Sequence, residues 1–203
     1  MRITYNAPFT LTYTLVCFIV VLLTTGLEIP GVLSFFTVYP FNTPYMQLVD
    51  PLTYLRLFSH AMGHANWMHF LGNFSYILLI GPILEEKYGS KLLLEMSFIT
   101  ALITGILNAS FFNNALLGAS GIVFMLILLA SFTNVRSGVI PLTFILITAL
   151  YIGQEIYQIT KSDNVSQFAH ILGGICGGIF GYVFSGNKTL KKSSNQDTGA
   201  LGV

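Results

Sequence analysis

The sequence predicts an all-α membrane protein: a bundle of six transmembrane helices, both termini in the cytoplasm, with a long membrane-embedded loop between helices 1 and 2. Three observations carry this expectation. Of 203 residues, 54% are hydrophobic and only 8% charged, against about 25% charged in a soluble domain. The apolar residues fall into six separate segments, as many as this length can hold at about 20 residues per span. The basic residues are unevenly shared between the two sides of those segments. A formal net charge of +1 leaves nothing in favour of a nucleic-acid partner.

Taken in order, the first segment runs from about Phe9 to Leu27 behind Arg2. It is long, and no small-x-small site follows it before Glu28, so it reads as a retained span and not a cleaved leader. Residues Glu28–Ala65 form an outside loop whose aromatic and aliphatic stretches, "GVLSFFTVYPF" and "YLRLFSHAM", suit the membrane interface. Pro30, Pro40, Pro44 and Pro51 argue against a further continuous span there. The second segment runs Asn66–Leu84, the third Ser90–Asn108 and the fourth Ser120–Thr133; the fifth covers Val139–Ile159 and the sixth Gln167–Phe184. The membrane domain is thus expected over residues 1–185. Residues 186–203, polar and rich in Gly and Ser, read as a disordered cytoplasmic tail. Cys17 and Cys176 both sit inside apolar runs, which argues against a structural disulfide.

Orientation follows from lysine and arginine. With the N-terminus inside, Arg2, Lys87, Lys91, Arg136, Lys188, Lys191 and Lys192 face the cytoplasm, and only Arg56 and Lys161 face outward. Reversing the bundle would invert that ratio.

The polar residues of the spans gather at one face. In this orientation the second, fourth and sixth segments all enter from outside, and each carries a reactive side chain near its start: His69, Ser120 and His170. Ionisable groups inside a membrane are functional candidates by default. Arg136 lies sixteen positions after Ser120, which at ~1.5 Å per residue is roughly 24 Å. The hydrocarbon layer is about 30 Å thick, so Ser120 starts its helix several ångströms below the outer boundary. The irregular backbone leading to it is tolerated only inside protein or beside a wet cavity.

Gly173, Gly177 and Gly181 recur at four-residue spacing, with Gly174 and Gly178 between them, and the fourth segment opens on the small residues Gly118-Ala119-Ser120-Gly121. Small residues at that spacing let membrane helices approach closely. Packing these faces together places His170 against Ser120, the arrangement a hydroxyl nucleophile and its base require. No acidic third member is evident, so the expected unit is a dyad. The developing oxyanion needs donors. These are the free N–H groups opening the fourth helix, together with His69 and Asn73 of "HFLGN", one turn apart on one helix face.

The stretches "LRLFSHAMGHANWMHFLGN", "GPILEEKYGS", "GASG" and "AHILGGICGG", in this order, resemble the rhomboid family of intramembrane serine proteases. The resemblance covers nearly the whole chain from the first segment to the sixth. It implies Ser120 as nucleophile, His170 as base, and His69 and Asn73 as oxyanion donors. It implies a loop around Arg56 embedded laterally in the outer leaflet, and a structural role for Glu85 at the cytoplasmic end of the second segment. Substrates would be single-span membrane proteins cut in or near the outer part of their helix, with no metal or cofactor, in a bacterial cell (inner) membrane. The sequence departs from the family at two places. Phe124 stands where many members have a tyrosine stacked on the histidine, and Leu55 precedes Arg56 where a tryptophan is common.

Plainer readings exist for each residue alone. Ser120 suits a helix start, and His69, Asn73 and His170 can tie helices together by hydrogen bonds. His60 and His64, four apart, have metal-ligand spacing but no evident third ligand unless His69 turns toward them, which leaves hydrogen bonding of the loop. Two rival functions follow: a non-catalytic rhomboid-like protein that binds transmembrane helices, and a small transporter or channel with the four histidines as a proton or metal path. The presence of both Ser120 and His170 counts against the first, and the apolar remainder of segments two and six against the second.

Overall fold

The computed structural model describes residues 4–132 and 167–185, with positions 142, 145, 146, 149 and 150 between them. The regular elements among the described residues are all helices, joined by turns and irregular chain that carry one isolated bridge, between Val38 and Leu116. Helix α1 (Pro8–Val21) continues as a wide turn over Leu22–Gly26; α2 is Pro51–Ser59, α3 Trp67–Tyr88, α4 Ser90–Phe111, α5 Ser120–Phe132 and α6 Gln167–Ser185. Pro8–Gly26, α3, α4 and Gln167–Phe184 are long and apolar enough to cross a membrane, and α5 is a shorter apolar helix. The protein is a multi-pass integral membrane protein. Most of the expected fifth segment, Val139–Ile159, and the expected tail, 186–203, lie outside the described residues.

Local chemistry sets the helix limits. Pro8 opens α1, where its missing N–H costs nothing. Asn66 caps α3, its side-chain oxygen accepting from the His69 N–H at 2.8 Å. Gly89, at φ +84°, breaks α3 from α4 in a conformation that other residues resist. The helix α3 runs past Pro82 to Tyr88, one turn beyond the expected limit at Leu84. Its last turn is held from outside itself. Glu85, 4% exposed, accepts hydrogen bonds from the backbone N–H of Phe9 (2.7 Å) and Thr10 (2.9 Å) and from the Thr10 hydroxyl (2.8 Å). One carboxylate therefore caps α1 and clamps it to α3. Just above, Gly81 takes the Thr10 side chain so closely that a Cβ there would meet its Oγ1 at 2.8 Å. Replacing Glu85 by Ala leaves those donors unmatched and should lower stability by about 3 kcal/mol. Thermal unfolding in detergent checks this, and a midpoint equal to that of the unaltered protein would refute it.

The loop between α1 and α3 folds around a buried cation. Arg56, 5% exposed, donates from Nε to the Ser34 carbonyl (2.8 Å) and from Nη1 to the Tyr45 carbonyl (2.6 Å). The Asp50 carboxylate lies 3.7 Å away and also caps α2 by accepting from the Leu52 N–H. An uncompensated guanidinium would be very costly here, so the loop carbonyls are drawn onto it. The loop joins the bundle where the Tyr13 hydroxyl donates to the Ala61 carbonyl (2.6 Å) and His60 Nε2 meets the Ala101 carbonyl (3.0 Å). It also pairs with the irregular chain before α5, where Val38 and Leu116 exchange hydrogen bonds of 3.0 and 2.9 Å, and with the last turn of α4, where the Phe41 N–H donates to the Ala109 carbonyl. Backbone that could not survive against lipid is thereby satisfied within protein.

Candidate active site

Helices α5 and α6 make the most extensive helix–helix contact of the described residues. Glycine is the reason. A methyl group at Gly173 would lie 3.0 Å from the Gly121 Cα and closer still to its carbonyl oxygen; at Gly177 it would meet the Met125 backbone in the same way. Gly181 lies against the Phe132 side chain, completing the ladder. In lipid, such backbone contact supplies van der Waals attraction that hydrophobic transfer cannot.

This contact brings two of the sequence-nominated residues to one place. Ser120 is the first residue of α5 and half-buried. Its neighbour Gly121 faces Ala169 and Gly173, the residues before and one turn after the next position on α6, His170. His170 is 8% exposed, and its ring sits 4.5 Å from that of Phe124 at a 40° tilt. Phe124 is one turn below Ser120 on the same face of α5. The imidazole thus packs on the face that carries the hydroxyl, and Phe124 fills the place of the stacking ring.

The other two nominated residues reach the same point from α3. The Cε1–Nε2 edge of His69 presses on Gly118, two residues before Ser120: a Cβ at Gly118 would lie 2.7 Å from Cε1, 2.8 Å from Nε2 and 3.9 Å from Asn73 Nδ2. Asn73 is 7% exposed, and its Nδ2 is buried without a hydrogen-bond partner among the described residues. Gly118 has φ +127°, so both its conformation and its neighbour exclude a side chain. Its N–H donates to the His60 carbonyl at 2.9 Å. The outer loop therefore fixes the backbone that enters α5, a link with no sequence signal beyond the small residues of "GASG". Thr104 on α4, packed on Gly121, also went unread in the sequence; nothing in its local pattern distinguishes it from other buried threonines.

His60 and His64 are buried in the loop beneath this site, 2% and 0% exposed. His64 Nδ1 meets the Met62 carbonyl at 3.2 Å, and its ring lies 5.2 Å from that of His69. Burial pushes His60 down to about 4 and, with the neighbouring His69 adding to it, His64 to about 4 as well. Both fold as neutral groups. The unfolded chain, with ordinary histidines near 6.5, binds their protons first, so stability is full above pH 6.5 and falls as pH drops toward 4. At pH 5 the loss should reach about 2 kcal/mol per histidine. A melting temperature unchanged between pH 7 and pH 5 would contradict neutral burial.

The fold and site define a class: a polytopic helical bundle with a serine at one helix start, a histidine on the closely packed next helix, and two side-chain donors on a third. Residues 51–187 match the Rhomboid domain model, and the chain belongs to the rhomboid family. It is 29% identical over 144 residues to the protein named Rhomboid protease GlpG of Haemophilus influenzae, an overlap of 68% of this chain and 72% of that one. It is 32% identical over 123 residues to the protein of the same name from Klebsiella pneumoniae, covering 60% of this chain and 42% of that longer one. The chain thus aligns with less than half of the Klebsiella protein.

Proposed function

We propose that this protein is an intramembrane serine endopeptidase that cleaves single-span membrane proteins in or near the outer part of their transmembrane helix. Ser120 attacks the scissile carbonyl while His170 takes its proton. The oxyanion is met by His69, Asn73 and the unpaired N–H groups opening α5. Collapse of the tetrahedral intermediate breaks the C–N bond, and His170 returns the proton to the leaving amine. Water, deprotonated by His170, then attacks the acyl carbon; the ester C–O bond breaks and Ser120 takes the proton back from His170, which restores the dyad.

The observation that carries this reading is the convergence at Gly118–Ser120: the His69 edge and Asn73 Nδ2 on one side, the His170 ring one turn from Ser120 on the other. A purely structural histidine pair would not need a vacant amide donor aimed at the start of a helix. The names of the two relatives point the same way. The six-span, N-in/C-in topology in a bacterial cell (inner) membrane, the 1–185 membrane domain with its tail, and action without metal or cofactor belong to the same proposal. They rest on the basic-residue distribution and on the family.

Labelling by a fluorophosphonate probe tests it. The purified protein should react at Ser120, and Ser120→Ala should abolish the label. A protein that stays folded yet never reacts would favour the non-catalytic helix-binding alternative.

A further inference from the structure

The seam between α1 and α4 is open. A cavity of about 470 Å³ lies between Pro8, Tyr13 and Val16 of α1 and Ser90, Lys91 and Leu94 of α4. A smaller one, about 70 Å³, continues inward past Tyr13 and Met62 to Ser97 and Ile122. Neither belongs to the Ser120 site. The larger one opens to the outside of the bundle between Val16 and Leu94, both exposed, and is backed by Met62, an adaptable side chain.

We propose that this groove holds one acyl chain of an anionic phospholipid, with the phosphate beside Lys91. This does not depend on the protease reading. The walls are apolar from Val16 down to Phe9, a run of about 10 Å at helical rise. Among the described residues that line the groove, the one charged side chain is Lys91, at the Pro8–Ser90 end, where a lipid headgroup would lie. There the Lys91 ammonium is exposed beside the positive terminus of α4, which no side chain caps. Two carboxylates oppose it: Glu95, 3.8 Å from Lys91, and Glu85, buried at the same end and already met by the Phe9 and Thr10 N–H groups and the Ser90 side chain. The Ser97 hydroxyl, buried without a hydrogen-bond partner among the described residues, lines the inner cavity only. Hydrocarbon offers it nothing, so the chain ends in the outer cavity. Since bilayer and groove are equally apolar, selectivity comes from packing and headgroup charge and not from hydrophobic transfer.

Native mass spectrometry of detergent-purified protein, titrated with phosphatidylglycerol or phosphatidylcholine of identical chains, tests this. One phosphatidylglycerol should be retained about fivefold better than phosphatidylcholine. Lys91→Gln should erase that preference, and Glu95→Gln should widen it. Leu94→Trp, at a half-exposed position on the lip, should lower retention of both lipids about tenfold through lost carbon contacts. Ser97→Ala should change nothing. Equal retention of the two lipids, or undiminished binding by Leu94→Trp protein with an unaltered melting temperature, would overturn the proposal.

Discussion

Ser120→Ala should leave the protein folded and slow cleavage of a single-span substrate by a factor of about 10⁴ or more. The expected size follows from the loss of covalent catalysis, with only the oxyanion donors and substrate binding left to act. The change is small in every other respect. It removes one oxygen from a half-buried position and leaves the Gly121–Gly173 contact intact. His170→Ala should be similarly severe, but it also deletes the ring packed on Phe124, so its folding must be measured beside its activity. Because the two residues act as one unit, the double variant should be no slower than either single one. A double variant slower than both by the product of their effects would mean that they work independently, and the dyad would have to be abandoned.

Gly173→Val should be the most damaging change outside the reacting groups. A branched side chain there meets the Gly121 backbone, which no rotamer change can move aside. Either α5 and α6 separate or the bundle fails to assemble. Even Gly173→Ala, whose methyl lands 3.0 Å from the Gly121 Cα and nearer its carbonyl, should cost about 3 kcal/mol of overpacking. It should also cost activity, because the same displacement carries His170 away from Ser120. Gly178→Ala is the matched control. Among the described residues a methyl there meets only the Phe132 ring, at 3.5 Å, an ordinary contact, and Ala is the better helix former. Thermal unfolding and probe labelling of the three variants check the ranking; equal stability of Gly173→Ala and Gly178→Ala would show that the glycine ladder is not a close-packed seam.

Much of this was written locally. The Gly173–Gly177–Gly181 spacing forecast a close approach of α6 to α5, and the backbone contacts at Gly121 and Met125 bear that out. The interval between His69 and Asn73 put both on one face of α3, because helical periodicity is a property of adjacent residues. What that face meets was not written. Gly118 reads in sequence as one more small packing residue; its φ of +127° and its contact with the His69 edge depend on how α3 and the chain before α5 are brought together. Glu85 likewise gave no sign of its partners, which lie 75 and 76 positions away on α1.

By itself, then, the sequence determined a helical membrane protein, the limits of most described spans to within a few residues, and which side chains share a face. These depend on hydropathy, periodicity and capping within a turn or two. Only the tertiary structure decided that Arg56 gathers the outer loop onto its guanidinium, that the His60 carbonyl holds the Gly118 N–H, and that the α1–α4 seam stays open. Each of these is a contact between segments far apart in the chain, set by which polar groups must find a partner away from water and where the packing leaves room.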